Sequence, residues 1–359
     1  MSSNRINLLV LEGDGIGPEI TRATVEVLRH VDALFGLGLA FTSADIGFTS
    51  LKASGSTFTK SVLDAAREAD GIVLGPVSHN SYPPVAEGGL NPSGELRKNL
   101  DLFANIRPSR TRDGVEAPSR KAFDLVVVRE NTEGFYADRS MFMGPGEFMP
   151  TEDVALATRK ITRKASLRIA KEAFDLAMSR RKKVCVVHKA NVLRLSDGLF
   201  LEATRKVAQD YPQVEVEEQL VDAMAALLVR DASRYDVVVT TNMYGDILSD
   251  EAAELAGGLG LGASLNAGER HGLAQAAHGS APTLAGQDKA NPSALIGSAA
   301  MLLIWLAART GRTECAEAGR AIEIALDRTI ANPATRTPDL GGPLGTLAFT
   351  AALMSAIAR

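Results

Sequence analysis

The segment Asn242-Met-Tyr-Gly-Asp-Ile-Leu-Ser-Asp250 follows directly on the apolar run Val237–Val239. A short apolar run before a longer mixed pattern predicts a strand that ends and a helix that begins. Asp246 and Asp250 are four residues apart, so on a helix their carboxylates share one face. Paired carboxylates repel each other, and a hard divalent cation such as Mg²⁺ or Mn²⁺ would relieve that repulsion. Alternatively, Asp246 caps the helix and Asp250 lies in its first turn.

Short apolar runs alternate with longer amphipathic stretches along the whole chain. The strand-like runs are Ile6–Leu11, Gly71–Leu74, Leu125–Val128, Val184–Val187 and Tyr235–Val239, and the helix-like stretches include Glu19–Val31, Val154–Ser179 and Leu199–Ala208. This alternation predicts an α/β architecture with largely parallel central strands. The segment Met141–Pro150 is rich in Met, Gly and Pro and is expected to be a loop.

Composition limits the possible classes of protein. The 359 residues are 45% hydrophobic and 23% charged, which is typical of a folded protein of two domains or of one large unit with an insertion. With 39 basic against 43 acidic residues, there is no electrostatic support for binding to nucleic acid or to an anionic membrane. Cys185 and Cys315 lack metal-ligand spacing. No signal peptide or membrane span is expected, so a cytoplasmic location is predicted.

Three arginines occur close together in the sequence. Arg97 lies in a predicted helix, Arg107 follows a short apolar stretch, and Arg129 ends the strand-like run Leu125–Val128. Strand ends commonly carry the ligand sites of α/β sheets, and guanidinium groups bind carboxylates in a bidentate manner. Converging arginines would therefore suit a substrate with two or three carboxylates. Alternatively, each is paired at the surface, as Arg129 would be with Glu130 or Glu133.

Other segments carry further candidate chemistry. Lys189 ends the run Val184–Val187 and could act as a general base, or it could be a solvated charge. The glycine-rich turn Glu12–Glu19 lacks the third glycine of the dinucleotide fingerprint. The polar loop from His278 to Asn291 precedes a predicted helix and could receive a phosphate group.

Taken in order, these segments resemble the metal-dependent β-decarboxylating dehydrogenases, which act on isopropylmalate, isocitrate, homoisocitrate or tartrate. The resemblance extends from Gly13-Asp-Gly-Ile-Gly-Pro to Asp339-Leu-Gly-Gly342, and NMYGDILSD and HGSAP…GQDKANP are its most specific motifs. It implies an isopropylmalate dehydrogenase-like fold with a mixed central sheet, not a Rossmann fold. Residues 1–102 and 257–359 would form a large cofactor-binding domain, and residues 103–256 a smaller inserted domain for dimerisation and for metal and substrate binding.

The resemblance also implies a role for each matching residue. The malate core would be bound by Arg97, Arg107 and Arg129, and the catalytic residues would be Tyr136 and Lys189. The metal would be bound by Asp222, Asp246 and Asp250. The cofactor would be bound by His278, Gly279, Ser280, Ala281, Pro282, Thr283 and Asn291. In this family the lysine and the first aspartate reach into the neighbouring subunit's site. A homodimer with shared active sites is therefore implied.

The chain departs from the family pattern at the cofactor site. Thr283 stands where the NAD-using branch usually has aspartate. The basic partners of a 2′-phosphate, found in the NADP-using branch, are replaced by Thr283-Leu284, Pro338 and Gly342. A 2′-phosphate would be poorly neutralised, which favours NAD over NADP. Gln275 stands where a glutamate is usual.

The segment before Arg97 is expected to select the substrate. Isopropylmalate enzymes present leucines there, whereas this chain has Asn91, Ser93 and Gly94. A polar or acidic substituent at C3 of malate is therefore predicted, as in isocitrate or a homologue. The function predicted is NAD-dependent oxidative decarboxylation of a hydroxy di- or tricarboxylate. The alternative functions are an isopropylmalate or tartrate dehydrogenase and, less favoured, a non-catalytic regulatory subunit. For Asn91, the alternative to a role in substrate selection is that it serves only as the N-cap of the helix.

Overall fold

The computed structural model describes residues 5–136, 141, 143–144 and 146–358. The strands are β1 (Ile6–Leu11), β2 (Leu39–Ser43), β3 (Gly71–Leu74), β4 (Ala104–Arg110), β5 (Asp124–Glu130), β6 (Glu147–Thr151), β7 (Val154–Ala157), β8 (Lys183–His188), β9 (Glu215–Leu220), β10 (Val237–Thr240), β11 (Leu265–Ala267) and β12 (Gly272–Gln275). The helices are α1 (Gly17–Phe35), α2 (Gly47–Ser54), α3 (Lys60–Glu68), α4 (Pro92–Asn99), α5 (Arg163–Met178), α6 (Ser196–Ala208), α7 (Val221–Asp231), α8 (Asn242–Leu255), α9 (Ser293–Thr310), α10 (Thr313–Ala331) and α11 (Thr346–Ala356).

The chain divides into two compact units. Unit 1 comprises Met1–Leu100, Arg112–Glu116 and Gly258–Arg359, and unit 2 comprises Asp101–Thr111 and Ala117–Gly257. Both chain ends therefore contribute to unit 1.

The sheet of unit 1 has the strand order β2-β1-β3-β12-β11. The first four of these strands are mutually parallel, and β11 runs antiparallel to β12. Its core contains apolar residues of α9 and α10, such as Leu295, Leu303 and Ile322, which are fully buried. The side chains of β1 and β3 that face the helices join the same core, which is why both strands read as continuous apolar runs.

Helix α9 is the one helix in the described part of the chain that is long and apolar enough to cross a membrane, and 67% of it is buried inside the structure. The expectation that no segment reaches this length and apolarity is therefore wrong for α9. Its contacts with α1, α10 and β12 account for an apolar surface on nearly all sides, because a central helix must bury more than one face.

The sheet of unit 2 has the strand order β4-β5-β10-β8-β9. Strands β5, β10, β8 and β9 are parallel, and β4 runs antiparallel to β5. The sheets of both units are thus mixed, and the predicted α/β fold with a mixed sheet is confirmed. The parallel register pairs Thr240 with Arg129 and with Val187, so the ends of β5, β10 and β8 lie at one edge of the sheet.

The stretch Val154–Ser179, predicted as a single helix, begins with a β-strand. Residues Val154–Ala157 form β7, which pairs antiparallel with β6 in a two-stranded hairpin, and α5 begins only at Arg163. The expected loop Met141–Pro150 likewise runs into β6, although Phe142 and Pro145 lie outside the described residues. All residues of both strands are exposed, so the strands do not have the alternation of buried apolar and exposed polar residues by which a strand is predicted from sequence.

Candidate functional site

Helix α8 carries the two aspartates that the sequence placed on one face. Thr241 precedes the helix and caps it without a side-chain hydrogen bond. Asp246 is the fifth residue of α8 and Asp250 the ninth, so the alternative that they cap the helix and occupy its first turn is wrong. Their role must therefore be sought in what their carboxylates contact.

Both carboxylates contact arginines on neighbouring strands. Asn105 lies opposite Arg129 in the β4–β5 register, so Arg107, two residues further on, projects from the same face of the sheet as Arg129. Arg107 Nη1 donates to Asp250 Oδ1 at 2.9 Å, and its Nη2 lies 3.2 Å from Asp246 Oδ1. Arg129 Nη1 also donates to the Asp246 carboxylate. The two arginine side chains are only 8% and 2% exposed, whereas those of Asp246 and Asp250 are 37% and 47% exposed.

Arg129 is further held by α8 itself. Its Nε and Nη2 donate to Asn242 Oδ1 at 3.0 and 2.7 Å. The carboxylate of Glu133 accepts from Thr162, and that of Glu130 accepts from Thr132. The alternative that Arg129 pairs at the surface with Glu130 or Glu133 therefore does not match the contacts of its buried guanidinium group. A buried guanidinium with carboxylate and amide partners is fixed in position before any ligand binds.

Tyr136 belongs to the same cluster. Its hydroxyl donates to Asp246 Oδ2 at 3.5 Å, and the Arg129 guanidinium carbon lies 5.9 Å from the centre of its ring. Burial raises the pKa of Asp250, an effect that Arg107 opposes and Asp246 reinforces. The cluster therefore combines two fixed cations, two partly exposed carboxylates and a phenol.

Lys189 and Asp222 form a separate pair. Lys189 follows β8, where its backbone N–H donates to the buried Asp197 at 2.6 Å. Its ammonium group binds the carboxylate of Asp222, in the first turn of α7, and this contact lowers the pKa of Asp222. Among the described residues, no three His, Cys, Asp or Glu side chains are grouped so as to hold a metal. Asp222 thus does not join Asp246 and Asp250 within one copy of the chain.

In unit 1, the residues expected to select the substrate lie at the start of α4. Asn91 is the N-cap of α4, and its side chain accepts from Gly94 N at 3.3 Å, which confirms the capping role considered for it. Ser93 Oγ donates to Gln275 Oε1 at 3.0 Å, and Arg97 Nη2 donates to the same oxygen at 3.2 Å. Gln275 ends β12, so the strand positions two residues of the helix.

The expected cofactor loop is tied to the turn after β1. The Ile16 N–H donates to Ser280 O at 2.8 Å, and the hydroxyls of Ser280 and Ser78 are 2.7 Å apart. A Cβ on Gly15 would lie 2.0 Å from Ser280 O, so only glycine permits this approach. Ala281 has a φ of +35°, a strained conformation for a residue with a side chain.

The flanking residues of this loop are also well defined. His278 is held through Nδ1, 2.9 Å from Gly279 O, and burial lowers its pKa. Its Nε2 is buried without a hydrogen-bond partner within the described chain. Pro282 and Thr283 lie in a short turn of 3₁₀-helix. Asn291 Nδ2 donates to Asp339 Oδ2 at 2.9 Å, and its Oδ1 accepts from Ser293 N, the first residue of α9.

Comparison with known proteins gives consistent matches over nearly the whole chain. The family model described as isocitrate/isopropylmalate dehydrogenase matches residues 7–357. The chain belongs to this family. It is 40% identical to the 3-isopropylmalate dehydrogenase of Methanothermobacter thermautotrophicus, over 96% of this chain and 97% of that protein. It is also 40% identical to the isocitrate/homoisocitrate dehydrogenase of Thermus thermophilus, over 98% of each.

A solved structure supports the same assignment. The isocitrate dehydrogenase of Methylococcus capsulatus superimposes with a TM-score of 0.86 at 36% identity, covering 99% of this chain and 100% of that one. The protein is therefore a member of a dehydrogenase family with the α/β fold of isocitrate dehydrogenase. The resemblance read from the sequence is confirmed.

Three residues that contribute to the site of this dehydrogenase-family member have no assigned role in the sequence analysis. Asn242 anchors Arg129, and Gly245 lets Arg129 approach α8, since a Cβ there would lie 2.6 Å from Arg129 Cγ. Gln275 contacts Ser93 and Arg97. Gly245 left a signal in the sequence, because a glycine inside a predicted helix requires a packing reason, and Gln275 stood out only as a departure from the glutamate usual in the family.

Proposed function

We propose that the protein catalyses the NAD-dependent oxidative decarboxylation of a 3-substituted malate with a polar or acidic C3 substituent, such as isocitrate or a homologue. The observation that carries this proposal is the pairing of Asp246 and Asp250 on one face of α8 against two buried arginines. One relative is named for 3-isopropylmalate and another for isocitrate and homoisocitrate, so their names support a 3-substituted malate and leave the nature of the C3 substituent to the proposal. Isopropylmalate and tartrate are the alternative substrates.

The donor set fits a hard divalent metal. Asp246 and Asp250 offer carboxylate oxygens that remain partly exposed, as Mg²⁺ and Mn²⁺ require. We assign metal binding to these two residues and to Asp222 of a second copy. The metal held by these residues would supply electrostatic stabilisation of negative charge on the substrate C2 oxygen, and NAD held by unit 1 would supply the hydride acceptor.

The remaining side chains bind the substrate and move protons. Arg97, Arg107 and Arg129 bind the carboxylates of the malate core, with Arg129 fixed by Asn242 before the substrate arrives. Lys189, in its neutral amine form, accepts the proton of the C2 hydroxyl. After the C3 carboxylate leaves as CO₂, the Tyr136 hydroxyl donates a proton to C3.

The proposed active protein is a homodimer with shared sites. Lys189 and Asp222 bind each other and are not grouped with the Asp246 cluster of their own copy, which supports the proposal that a second copy completes each site. Exposed apolar side chains of unit 2 would supply the interface; they include Phe148, Met149, Val154, Leu156 and Ile247. In this proposal unit 2 dimerises and binds the metal.

The cofactor assignment rests on unit 1. We assign the loop His278, Gly279, Ser280, Ala281, Pro282 and Thr283, together with Asn291, to binding of the adenosine half of NAD. The hydrogen bonds of Ser280 to Ile16 and Ser78 hold this loop in one conformation, which lowers the entropy cost of binding. NAD is favoured over NADP because no basic side chain stands at Thr283 or Leu284 to neutralise a 2′-phosphate. A cytoplasmic location belongs to the same proposal.

A substrate screen tests the proposal. The purified protein with Mg²⁺ is assayed for reduced nucleotide and for CO₂ on malate, tartrate, isocitrate, homoisocitrate and several 3-alkylmalates, each with NAD⁺ and NADP⁺. We expect NADH and CO₂ in equal amounts with a polar or acidic C3 substituent. Reduced nucleotide without CO₂ would indicate oxidation alone, and no turnover of any acid would indicate a non-catalytic subunit.

A further inference from the structure

A buried ion pair in unit 2 contacts the backbone of Lys189. The Asp197 side chain is fully buried, and that of Arg159 is 8% exposed. Arg159 Nη1 donates to Asp197 Oδ1, and Asp197 Oδ2 accepts from the Lys189 N–H at 2.6 Å. One carboxylate oxygen therefore balances the charge of Arg159, while the other holds the main chain of Lys189 through a charge-assisted hydrogen bond.

The guanidinium group of Arg159 also reaches the start of α8. Its Nη2 donates to Oγ1 of Thr241, the N-cap residue of α8, at 3.0 Å. The first turn of α8 is held independently, because Asn242 accepts two hydrogen bonds from Arg129. Arg159 therefore ties Asp197 to a helix whose position is already fixed.

The turn that carries Lys189 is largely exposed. The Lys189 carbonyl oxygen accepts from Val192 N and Leu193 N at 3.0 and 2.8 Å, which closes the turn on itself. Val192 is 65% exposed and Leu195 90%, so packing within the same copy contributes little to the position of the turn. Asp197 supplies a fixed acceptor where the turn leaves β8.

We propose that Asp197, anchored by Arg159, is a positioning residue that sets where the turn presents the Lys189 amine. A proton acceptor must lie within hydrogen-bond reach of the proton that it removes, so a small displacement of the Lys189 main chain slows the reaction. The inference rests on the proposed function, in which Lys189 acts in the site of the neighbouring copy. Asp197 thus serves the neighbour's site and not the Asp246 site of its own copy.

Asp197→Asn tests this role with little change in side-chain volume. An amide has a single accepting oxygen, so asparagine cannot serve both Arg159 and the Lys189 N–H. We expect kcat to fall about 10- to 100-fold. KM for NAD, which is assigned to unit 1, should stay within about twofold of wild type. Wild-type kcat in folded Asp197→Asn would overturn the inference.

Asp236→Asn is the matched control. The buried Asp236 carboxylate accepts from Arg180 Nε and from Arg181 N, both at 2.8 Å, so it also joins an arginine to a backbone N–H. Asp236 precedes β10 and Thr241 follows it, so this pair lies at the other end of the strand. Both variants should lose stability in urea, and only Asp197→Asn should lose kcat. Equal falls in kcat would indicate a general loss of structure and overturn the inference.

Subunit mixing determines which site Asp197 serves. Dimers of Asp197→Asn are dissociated and reassociated with an equal amount of Tyr136→Phe or of Lys189→Ala dimers. With Tyr136→Phe, one site of each mixed dimer combines an intact Tyr136 with a well-placed Lys189, so activity should recover to about one quarter of wild type. With Lys189→Ala, each site lacks a well-placed lysine and no recovery is expected. Recovery with Lys189→Ala, or with neither variant, would overturn the inference.

Two further samples separate this result from failure of the proposed function. Lys189→Ala mixed with Tyr136→Phe must recover activity; no recovery there would overturn the shared-site dimer and the inference together. Recovery there, with the wrong pattern for Asp197→Asn, overturns the inference alone. If Asp197→Asn does not fold, the double variant Arg159→Met/Asp197→Asn replaces it, because removing both charges leaves no unpaired ion buried. It should show the same fall in kcat and the same recovery, and wild-type kcat would overturn the inference.

Discussion

Replacing each proposed metal ligand by asparagine should separate stability from activity. Asp246 lies between two buried guanidinium groups, so Asp246→Asn leaves both with less compensating charge. Breaking a buried ion pair costs about 3–5 kcal/mol, and because the Asp246 side chain is 37% exposed we expect a loss near the lower end, about 3 kcal/mol. Asp250 contacts only Arg107 among these cations, and burial already disfavours its charged form, so Asp250→Asn should cost about 1 kcal/mol.

Asp222→Asn is the matched comparison. The Asp222 side chain is 64% exposed, and exposed ion pairs contribute about 0–1 kcal/mol, so its free energy of unfolding should hardly change. The assay is urea unfolding followed by far-UV circular dichroism, with a chelator present so that metal binding does not contribute. All three variants should nevertheless lose nearly all turnover. Equal free energies of unfolding for Asp246→Asn and Asp222→Asn would refute the argument that Asp246 compensates the charge of the two buried guanidinium groups.

Two further predictions concern α8. Gly245→Ala places a Cβ 2.6 Å from Arg129 Cγ, which should cost about 1–3 kcal/mol in urea unfolding and raise KM for the substrate; unchanged values would show that Arg129 is not confined there. Burial raises the pKa of Glu251 to about 7. Between the ordinary pKa of a glutamate and this value, the folded state keeps the proton and the unfolded state has released it. The free energy of unfolding therefore falls as pH rises towards 7. Glu251→Gln should therefore raise the free energy of unfolding at pH 8, by about 1 kcal/mol after allowance for solvent screening, and leave it nearly unchanged at pH 4; an equal effect at both pH values would contradict this.

The sequence predicts local features of the site well. The four-residue spacing of Asp246 and Asp250 places them on one helical face wherever a helix forms, and the structure has that helix. Asn91 before Pro92 predicts an N-cap by the same local logic. The strand-like run before Arg129 likewise predicts that Arg129 stands near a strand end.

Features that depend on long-range contacts could not be predicted in the same way. Gln275 meets Ser93 and Arg97 across about 180 residues of chain, and no local pattern encodes that meeting. The convergence of Arg107 and Arg129 depends on the antiparallel register of β4 and β5. The hairpin of β6 and β7 was missed because its apolar residues, such as Leu156, are exposed and do not form a buried face that a sequence pattern could indicate.

Subunit complementation tests the central claim most directly, which is that Lys189 of one copy completes the Asp246 site of another. Lys189→Ala and Tyr136→Phe dimers, each nearly inactive, are mixed in equal amounts, dissociated and reassociated. With random exchange half of the dimers are mixed, and each mixed dimer has one intact site, so the account predicts recovery to about one quarter of wild-type turnover. Activity that stays at the level of the separate variants, with mixed dimers present by native mass spectrometry, would contradict it.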